Sequence, residues 1–371
     1  MASGLYIHIP FCNAPCPYCD FAFEVRKTHL ADRYAGAVIR EFRTRLPRVG
    51  PHPVFKTVYF GGGTPSAVPP ETLHRILSAI RLEADIVPNA EITAEANPGD
   101  RAVFRAFWEM GINRLSLGVQ ALNDPDLKAL GRLHNTADAV AAFQTARRAG
   151  FRNVNIDLIF GAPEQAVAAW RTTLDRSVAL FPEHLSVYGL TVEPETAFGR
   201  RFRKGRLPLP AEDDQAAMYG LALDRLTRAG YHHYEVSNLA RPGFASQHNL
   251  GYWKGRPYLG IGLSAHSFLN NRRSWNIRDL MAYIEKVESV GTAIEGEEAI
   301  DGEGRVLERV MLGLRQREGI PETLLVGTRT APSLNRLLSH RLLERTGERI
   351  CLTRRGLLLA DLVCAELVKG I

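Results

Sequence analysis

Six short runs rich in β-branched and aromatic residues recur along the first half of the chain: LYIHI (5–9), TVYF (57–60), EITAEA (91–96), RLSLGV (114–119), VNIDLIF (154–160) and HLSVYGL (184–190). Each predicts a strand. Several are apolar almost without a break, as in strands covered on both faces of a parallel sheet. Amphipathic stretches at 30–46, 70–82, 101–110, 137–149 and 166–180 predict helices between them, and Gly111, Gly150 and Gly230 follow three helical runs as stop signals. Strand–helix alternation repeated this often implies βαβ units with right-handed crossovers. The expected fold is α/β, a partial (β/α) barrel of TIM-like type. No G-x-G-x-x-G follows the first strand, which sets a dinucleotide fold aside. In barrels of this kind chemistry sits where strands end, and three unusual segments fall there: a cysteine-rich loop after the first strand, GGGTPS after the second and Glu95 near the end of the third.

Beyond about residue 200 the pattern changes. A helix at 211–229 leads into a stretch rich in glycine and aromatic residues, and the remainder is mostly helical. This divides the chain into a core at 1–235, an extension at 236–300 and a small C-terminal domain at 301–371, mostly helical and winged-helix-like. That last part carries 12 Lys/Arg against 9 Asp/Glu, too small an excess for a DNA-binding wing. Covering the barrel mouth and docking a partner are both open to it.

Composition narrows the class further. With 371 residues, 45% hydrophobic and 23% charged, the chain suits an ordered α/β domain with a smaller appendage. Its net charge of +6 is scattered, with no Lys/Arg run of five, so no nucleic-acid partner is expected. No signal peptide is expected from the first residues, and no apolar run approaches the ~18 residues of a membrane span. Five cysteines, three of them tightly grouped, make a poor disulfide framework, and the expected location is the reducing cytoplasm.

The group is FCNAPCPYCDF, which places Cys12, Cys16 and Cys19 in C-x-x-x-C-x-x-C spacing. Structural zinc asks for four protein ligands; Cys351 and Cys364 do not resemble the missing pair, and Cys364 sits on an apolar helical face. Three thiolates on one short loop suit a [4Fe–4S] cluster with one iron left open to a small molecule. The glycines of GGGTPS let backbone approach a ligand closely. An ordinary βα turn reads the same way when taken alone.

Together these motifs resemble the radical S-adenosylmethionine (SAM) superfamily. The resemblance implies that the open iron binds the amino and carboxylate groups of SAM, and that an electron from the cluster cleaves it to methionine and a 5′-deoxyadenosyl radical. YIHIPFC, YFGGGTPS, EANP, LSLGVQ, LGRLHN and NIDLIFGAP follow in order the pattern of the oxygen-independent coproporphyrinogen III oxidase-like family. By that resemblance SAM and the cluster are bounded by Tyr6, Tyr18, Gly62, Gly63, Thr64, Glu95, Gln120, Arg132 and Asp157. Carboxylates can accept from ribose hydroxyls or the ammonium, and a guanidinium can pair with SAM's carboxylate. Asp157 also reads as a polar residue closing a strand.

The oxidases extend the cysteine motif to a fourth cysteine, and this chain has Phe21 in that position. The departure argues against oxidative decarboxylation and resembles the heme chaperone branch (HemW type), where CPYCDF is the usual form. QHNLGYW (247–253) contains H-N-x-x-Y-W, associated with heme binding in that branch. The resemblance implies His248 as an iron ligand, with Tyr252 and Trp253 as flat surface for the porphyrin. The same residues would also suit a loop packed on the barrel. Among other histidines, His8 is expected near the cluster, His232–His233 at a strand edge, and His266 in a glycine-rich segment placed to close over SAM. The expected function is a radical SAM heme chaperone that binds a [4Fe–4S] cluster, SAM and heme and delivers heme to respiratory hemoproteins. The alternative is the oxidase or another radical SAM reaction on a tetrapyrrole. A flavodoxin or ferredoxin reductant is implied where SAM is cleaved; homodimer formation and peripheral membrane association are both open.

Overall fold

The structure is a computed structural model that describes residues 3–371. All six expected strands form: β1 (Ser3–Ile9), β2 (Val54–Gly62), β3 (Asp85–Ala96), β4 (Arg114–Gln120), β5 (Val154–Phe160) and β6 (His184–Gly189). They lie side by side in chain order and run parallel. The crossovers carry α1 (Ala31–Arg45), α2 (Pro70–Glu83), α3 (Phe104–Glu109), α4 (Asp124–Ala129), α5 (Thr136–Ala149) and α6 (Val167–Leu180). The run expected at 101–110 splits, because Pro98 opens a 3₁₀ segment (Pro98–Val103) before α3 begins. At the end of α5, Gly150 turns left-handed at φ 115°, a conformation that costs glycine least.

Side-chain parity along these strands explains the barrel. Leu5, Ile7, Ile9, Val58, Phe60, Leu115, Leu117, Ile156, Leu158, Leu185 and Val187 are all buried in the apolar core. The intervening positions are polar or small: Tyr59, Glu95, Arg114, Ser116, Asn155, Asp157 and Ser186 line a central cavity. A period of two sends alternate residues to opposite faces. One face of the sheet is therefore a hydrophobic floor for helices and the other a polar interior.

Residues 232–299 extend this same sheet. The strands β7 (His232–Glu235) and β8 (Asn238–Ala240) add antiparallel beyond β6. After α7 (Ala197–Arg203), α8 (Glu212–Arg228) and α9 (Gln247–Trp253), β9 (Tyr258–Ile261) returns to lie parallel beside β1 on its other side. The antiparallel β10 (His266–Leu269), β11 (Arg272–Asn276) and β12 (Ile294–Ala299) follow, separated by α10 (Leu280–Val290). The twelve strands run in the order β12-β11-β10-β9-β1-β2-β3-β4-β5-β6-β8-β7. As expected, His232 and His233 lie on an edge strand.

The C-terminal part is α11 (Gly302–Leu314), β13 (Ile320–Pro321), α12 (Ala331–Ser339), β14 (Leu343–Thr346), β15 (Arg349–Leu352), α13 (Arg354–Leu358) and α14 (Ala360–Val368). Its three strands form a separate small sheet, β13-β15-β14. Arg354 ties it to α8 through Asp224 at 2.5 and 2.8 Å, and Gln316 donates to the Trp253 carbonyl at 3.1 Å. Cys364 is buried in its core. Among the described residues, no helix is long and apolar enough to cross a membrane.

Candidate functional site

Three loops converge at the C-terminal ends of β1, β2 and β3. The chain leaving β1 pairs with the segment after β2: the Gly63 N–H donates to Ile9 O at 2.9 Å and the Thr64 N–H to Phe11 O at 2.8 Å. This brings GGGTPS against the cysteine loop, where the Thr64 hydroxyl lies 3.5 Å from Cys12 Sγ. Cys12, Cys16 and Cys19 are free thiols of intermediate exposure, whereas Cys351 and Cys364 are buried. The three line a cavity of about 840 Å³ together with Thr64, Glu95 and Arg132. Burial raises the Cys12 thiol to about 11 and also raises Cys19. Cationic iron would favour their thiolate forms and reverse that penalty.

Arg132, from the loop after α4, reaches across this mouth. Its Nη1 donates to Cys16 Sγ at 3.1 Å, and its Nη2 is held by Asn97 Oδ1 at 2.5 Å and Gly118 O at 3.1 Å. Its Nε and the Gln120 Oε1 are buried without hydrogen-bond partners among the described residues. Both residues line the cavity, and buried polar atoms left unpaired are what a site built for a polar ligand presents. Gln120 also sits at φ 68°, a left-handed conformation uncommon outside glycine. Glu95 is fixed by the Tyr59 hydroxyl at 2.8 Å and the Gly62 N–H at 3.1 Å, and burial lifts its carboxyl to about 7. Asp157 accepts from Ser116 Oγ at 3.1 Å and Asn155 Nδ2 at 2.8 Å, with its pKa raised by burial.

The residues present fit the implied groups. Three cluster thiols, a guanidinium, two carboxylates and a glycine cradle face one space large enough for a cluster beside a small polar molecule. Cys12, Cys16 and Cys19 would hold a [4Fe–4S] cluster, and Gly62, Gly63, Thr64, Glu95, Gln120, Arg132 and Asp157 would border SAM. Tyr18 lines the same space, its ring tilted against Phe198 of α7 at 6.2 Å.

Other expected site residues stand apart. Tyr6 faces a second cavity of about 350 Å³, bounded also by Phe21, Tyr252, Tyr258, His266 and Arg278. The two cavities meet at Asp20, Phe21, Gly62 and Glu95, which line both. His248, on α9, lies behind this wall and is 3% exposed. Its Nδ1 is 2.8 Å from Thr57 Oγ1 and its Nε2 is 2.8 Å from the Tyr252 hydroxyl. An iron ligated by His248 would have to displace one of these. Trp253 lines neither cavity.

Tyr59, Asn97 and Arg114 were not singled out from sequence. Tyr59 fixes Glu95, and Asn97 joins Arg132 to Thr64. Arg114 is 2% exposed and lines the cavity near Asp157. Their signal lay inside the motifs YFGGGTPS, EANP and RLSLGV, Tyr59 and Arg114 on β2 and β4 and Asn97 just past the end of β3.

A parallel barrel with three thiols on the loop after its first strand, beside a glycine-rich turn, is the architecture of radical SAM proteins. Residues 6–176 match the model of the Radical SAM superfamily. Within it, the chain belongs to the heme chaperone HemW family. It is 36% identical over 318 residues to Heme chaperone HemW of Bacillus subtilis, covering 85% of this chain and 84% of the relative. The Synechocystis protein of the same name is 39% identical over 331 residues, covering 86% and 79%. The Mycobacterium tuberculosis one is 36% identical over 371 residues, covering 98% and 94%. Among solved structures, the coproporphyrinogen III oxidase (HemN) from Escherichia coli, a radical SAM enzyme, aligns with a TM-score of 0.86 and 25% identity over 99% of this chain and 90% of that one.

Proposed function

We propose that this protein is a radical SAM heme chaperone that binds heme and hands it to hemoprotein recipients, respiratory ones among them. The observation that carries the reading is Phe21. It stands 68% exposed at the junction of the two cavities, where the oxidase pattern has its fourth cysteine. Cys12, Cys16 and Cys19 hold the cluster, leaving one iron for SAM. When bound, that pair supplies one-electron chemistry; the chain's own residues orient SAM through Glu95, Arg132 and Asp157. A reducing cytoplasmic setting belongs to this reading, and the five free cysteines support it. A low-potential flavodoxin or ferredoxin serves as reductant where SAM is cleaved. Homodimer formation and a peripheral membrane encounter with recipients are further parts of this reading.

The test is an anaerobic heme titration of the cluster-reconstituted protein, read by Soret absorbance, followed by transfer to an apo-hemoprotein. Stoichiometric binding and transfer support the chaperone. A second reading, oxidative decarboxylation of coproporphyrinogen III, is favoured by the fold shared with the oxidase. Mass spectrometry of coproporphyrinogen III incubated anaerobically with protein, SAM and reductant separates the two, because only the oxidase loses carbon dioxide from its substrate.

A further inference from the structure

Residues 200–206, RRFRKGR, are the most basic stretch of the chain: Arg200, Arg201, Arg203, Lys204 and Arg206 fill five of its seven positions. Phe202 and Gly205 interrupt them, so no unbroken run marks the segment. All seven residues are exposed, Phe202 at 56%. None of the five cations enters an ion pair among the described residues. Arg200 and Arg203 donate instead to the Glu195 and Pro194 carbonyls at 2.7 Å, and Arg201 to Arg206 O at 3.3 Å. The acids just before the segment are Glu193 and Glu195, two against five.

This surface is built onto the cluster loop. It begins in α7, where the Phe198 N–H donates to Pro17 O at 2.8 Å and the Phe198 ring meets Tyr18. Pro17 and Tyr18 are the two residues between Cys16 and Cys19. The helix is held firmly: the Thr196 hydroxyl accepts from the Gly199 N–H at 3.0 Å, and the Glu193 and Pro194 carbonyls leave no room for a Cβ on Gly199. The loop after α4 also packs on Pro17, since a Cβ on Gly131 would lie 2.8 Å from Pro17 Cδ, and its Leu133 is 81% exposed. None of residues 200–206 lines either cavity. A macromolecule seated on them sits beside the cluster loop and leaves both cavities free.

Building on the cluster and reductant of the reading above, we propose that residues 200–206 dock an acidic one-electron donor protein of the flavodoxin kind, which reduces the cluster on Cys12, Cys16 and Cys19. One electron leaves the anionic reduced flavin, which becomes a neutral radical, and enters the cluster, which passes from its 2+ to its 1+ state. No bond forms and no proton moves. Unpaired cations on one face speed the encounter with a protein of acidic surface, and electron-transfer complexes are among the smallest interfaces. Guanidinium groups can grip carboxylates through two parallel hydrogen bonds, and Phe202 adds an aromatic contact within the basic ring. A membrane fits less well, because α7 has seven residues and Phe202 is its one exposed large apolar side chain.

The test mixes reduced flavodoxin anaerobically with the cluster-reconstituted full chain. Stopped-flow bleaching of the cluster gives the rate of reduction, and calorimetry with oxidised flavodoxin gives the affinity. The side chains of Lys204 and Arg206 make no hydrogen bond among the described residues, so the double variant Lys204→Glu, Arg206→Glu should fold as the wild type does, checked by melting temperature. Its rate and affinity should each fall by ~10-fold or more at low salt, with the difference fading as salt is raised. Dithionite, which needs no docking surface, should reduce both proteins alike. Arg152→Glu, Arg355→Glu carries the same change in charge at exposed positions, before β5 at the opposite end of the barrel and in the C-terminal part, and should stay near wild type. Wild-type behaviour in the first variant, or an equal loss in the second, overturns the docking surface. So does sedimentation with phosphatidylglycerol vesicles that the first variant loses while its flavodoxin kinetics are unchanged, which would give the surface to a membrane. A wild type that dithionite reduces and flavodoxin neither binds nor reduces overturns the inference and leaves the chaperone reading intact. A wild type that holds no cluster overturns both.

Discussion

Arg132 donates from Nη1 to Cys16 Sγ at 3.1 Å while its Nη2 is clamped by Asn97 and the Gly118 carbonyl. One guanidinium thus ties the cysteine loop to the ends of β3 and β4, and it keeps a buried Nε without a partner among the described residues. A charge-assisted hydrogen bond to a bound carboxylate is worth ~1.5–3 kcal/mol. Arg132→Met should therefore weaken SAM binding by ~10- to 100-fold, measured by the change SAM causes in the reduced cluster's paramagnetic signal. Iron content should stay near that of the wild type, because all three thiols remain. A parallel fall in iron would mean that Arg132 serves the loop's fold instead.

The cysteines sort into two groups by exposure and surroundings. Cys12, Cys16 and Cys19 border the large cavity, while Cys351 and Cys364 are buried in the C-terminal part. Replacing any one of the first three by serine should abolish or sharply reduce cluster iron and the brown absorbance after anaerobic reconstitution. Cys364→Ala should retain both. Its cost belongs to packing, and it should appear as a lower melting temperature.

Sequence patterning revealed the six parallel strands because each run of apolar and β-branched residues was long enough to stand out. It did not reveal the polar interior. Arg114, Ser116, Asn155 and Ser186 alternate with buried aliphatics, so the period-two signal was present within runs that read as continuously apolar. The cluster loop was legible because three thiols at fixed spacing on one loop suit few other uses. By contrast, the main-sheet strands after residue 230 are three to six residues long, interrupted by glycine and tight turns, and carry no clear periodicity. Their addition to the main sheet depends on long-range pairing, above all β9 returning beside β1. The same limit hid the relation between His248, Thr57 and Tyr252, because Thr57 lies 191 positions away.

Gly63 packs where any side chain would strike backbone. A Cβ there would lie 2.7 Å from the Pro10 carbonyl carbon and 2.8 Å from Ile9 O, neither of which can swing aside. Gly63→Ala should push the glycine loop off the cysteine loop and destabilise the fold by ~1–3 kcal/mol, with weaker SAM binding. Gly99 offers the control, since nothing lies within 4 Å of a Cβ built on it. Gly99→Ala should leave melting temperature and SAM binding near wild type. Equal behaviour of the two variants would show that the close approach at Gly63 is not a constraint.

Glu235 supplies a pH dependence with a definite sign. The residue is fully buried on β7 where that strand bridges to Gln316 of the C-terminal part. One carboxylate oxygen accepts from the Ser237 N–H at 3.2 Å, and the other has no partner among the described residues. Burial raises its pKa from 4.5 to about 7. Its favourable contribution is fully present below pH 4.5 and is lost as pH rises through about 7, because the unfolded chain releases the proton first. The difference amounts to ~3 kcal/mol across that window. Glu235→Gln keeps the shape and removes the titration, so its stability relative to wild type should rise between pH 5 and pH 8. The neutral histidines, partly buried His233 among them at about 4, lose stability on acidification instead and contribute equally to both proteins. Urea unfolding of the two proteins at several pH values isolates the carboxyl. Curves that stay parallel through pH 8 would show that Glu235 ionises at its ordinary pH and that the C-terminal contact does not depend on its proton.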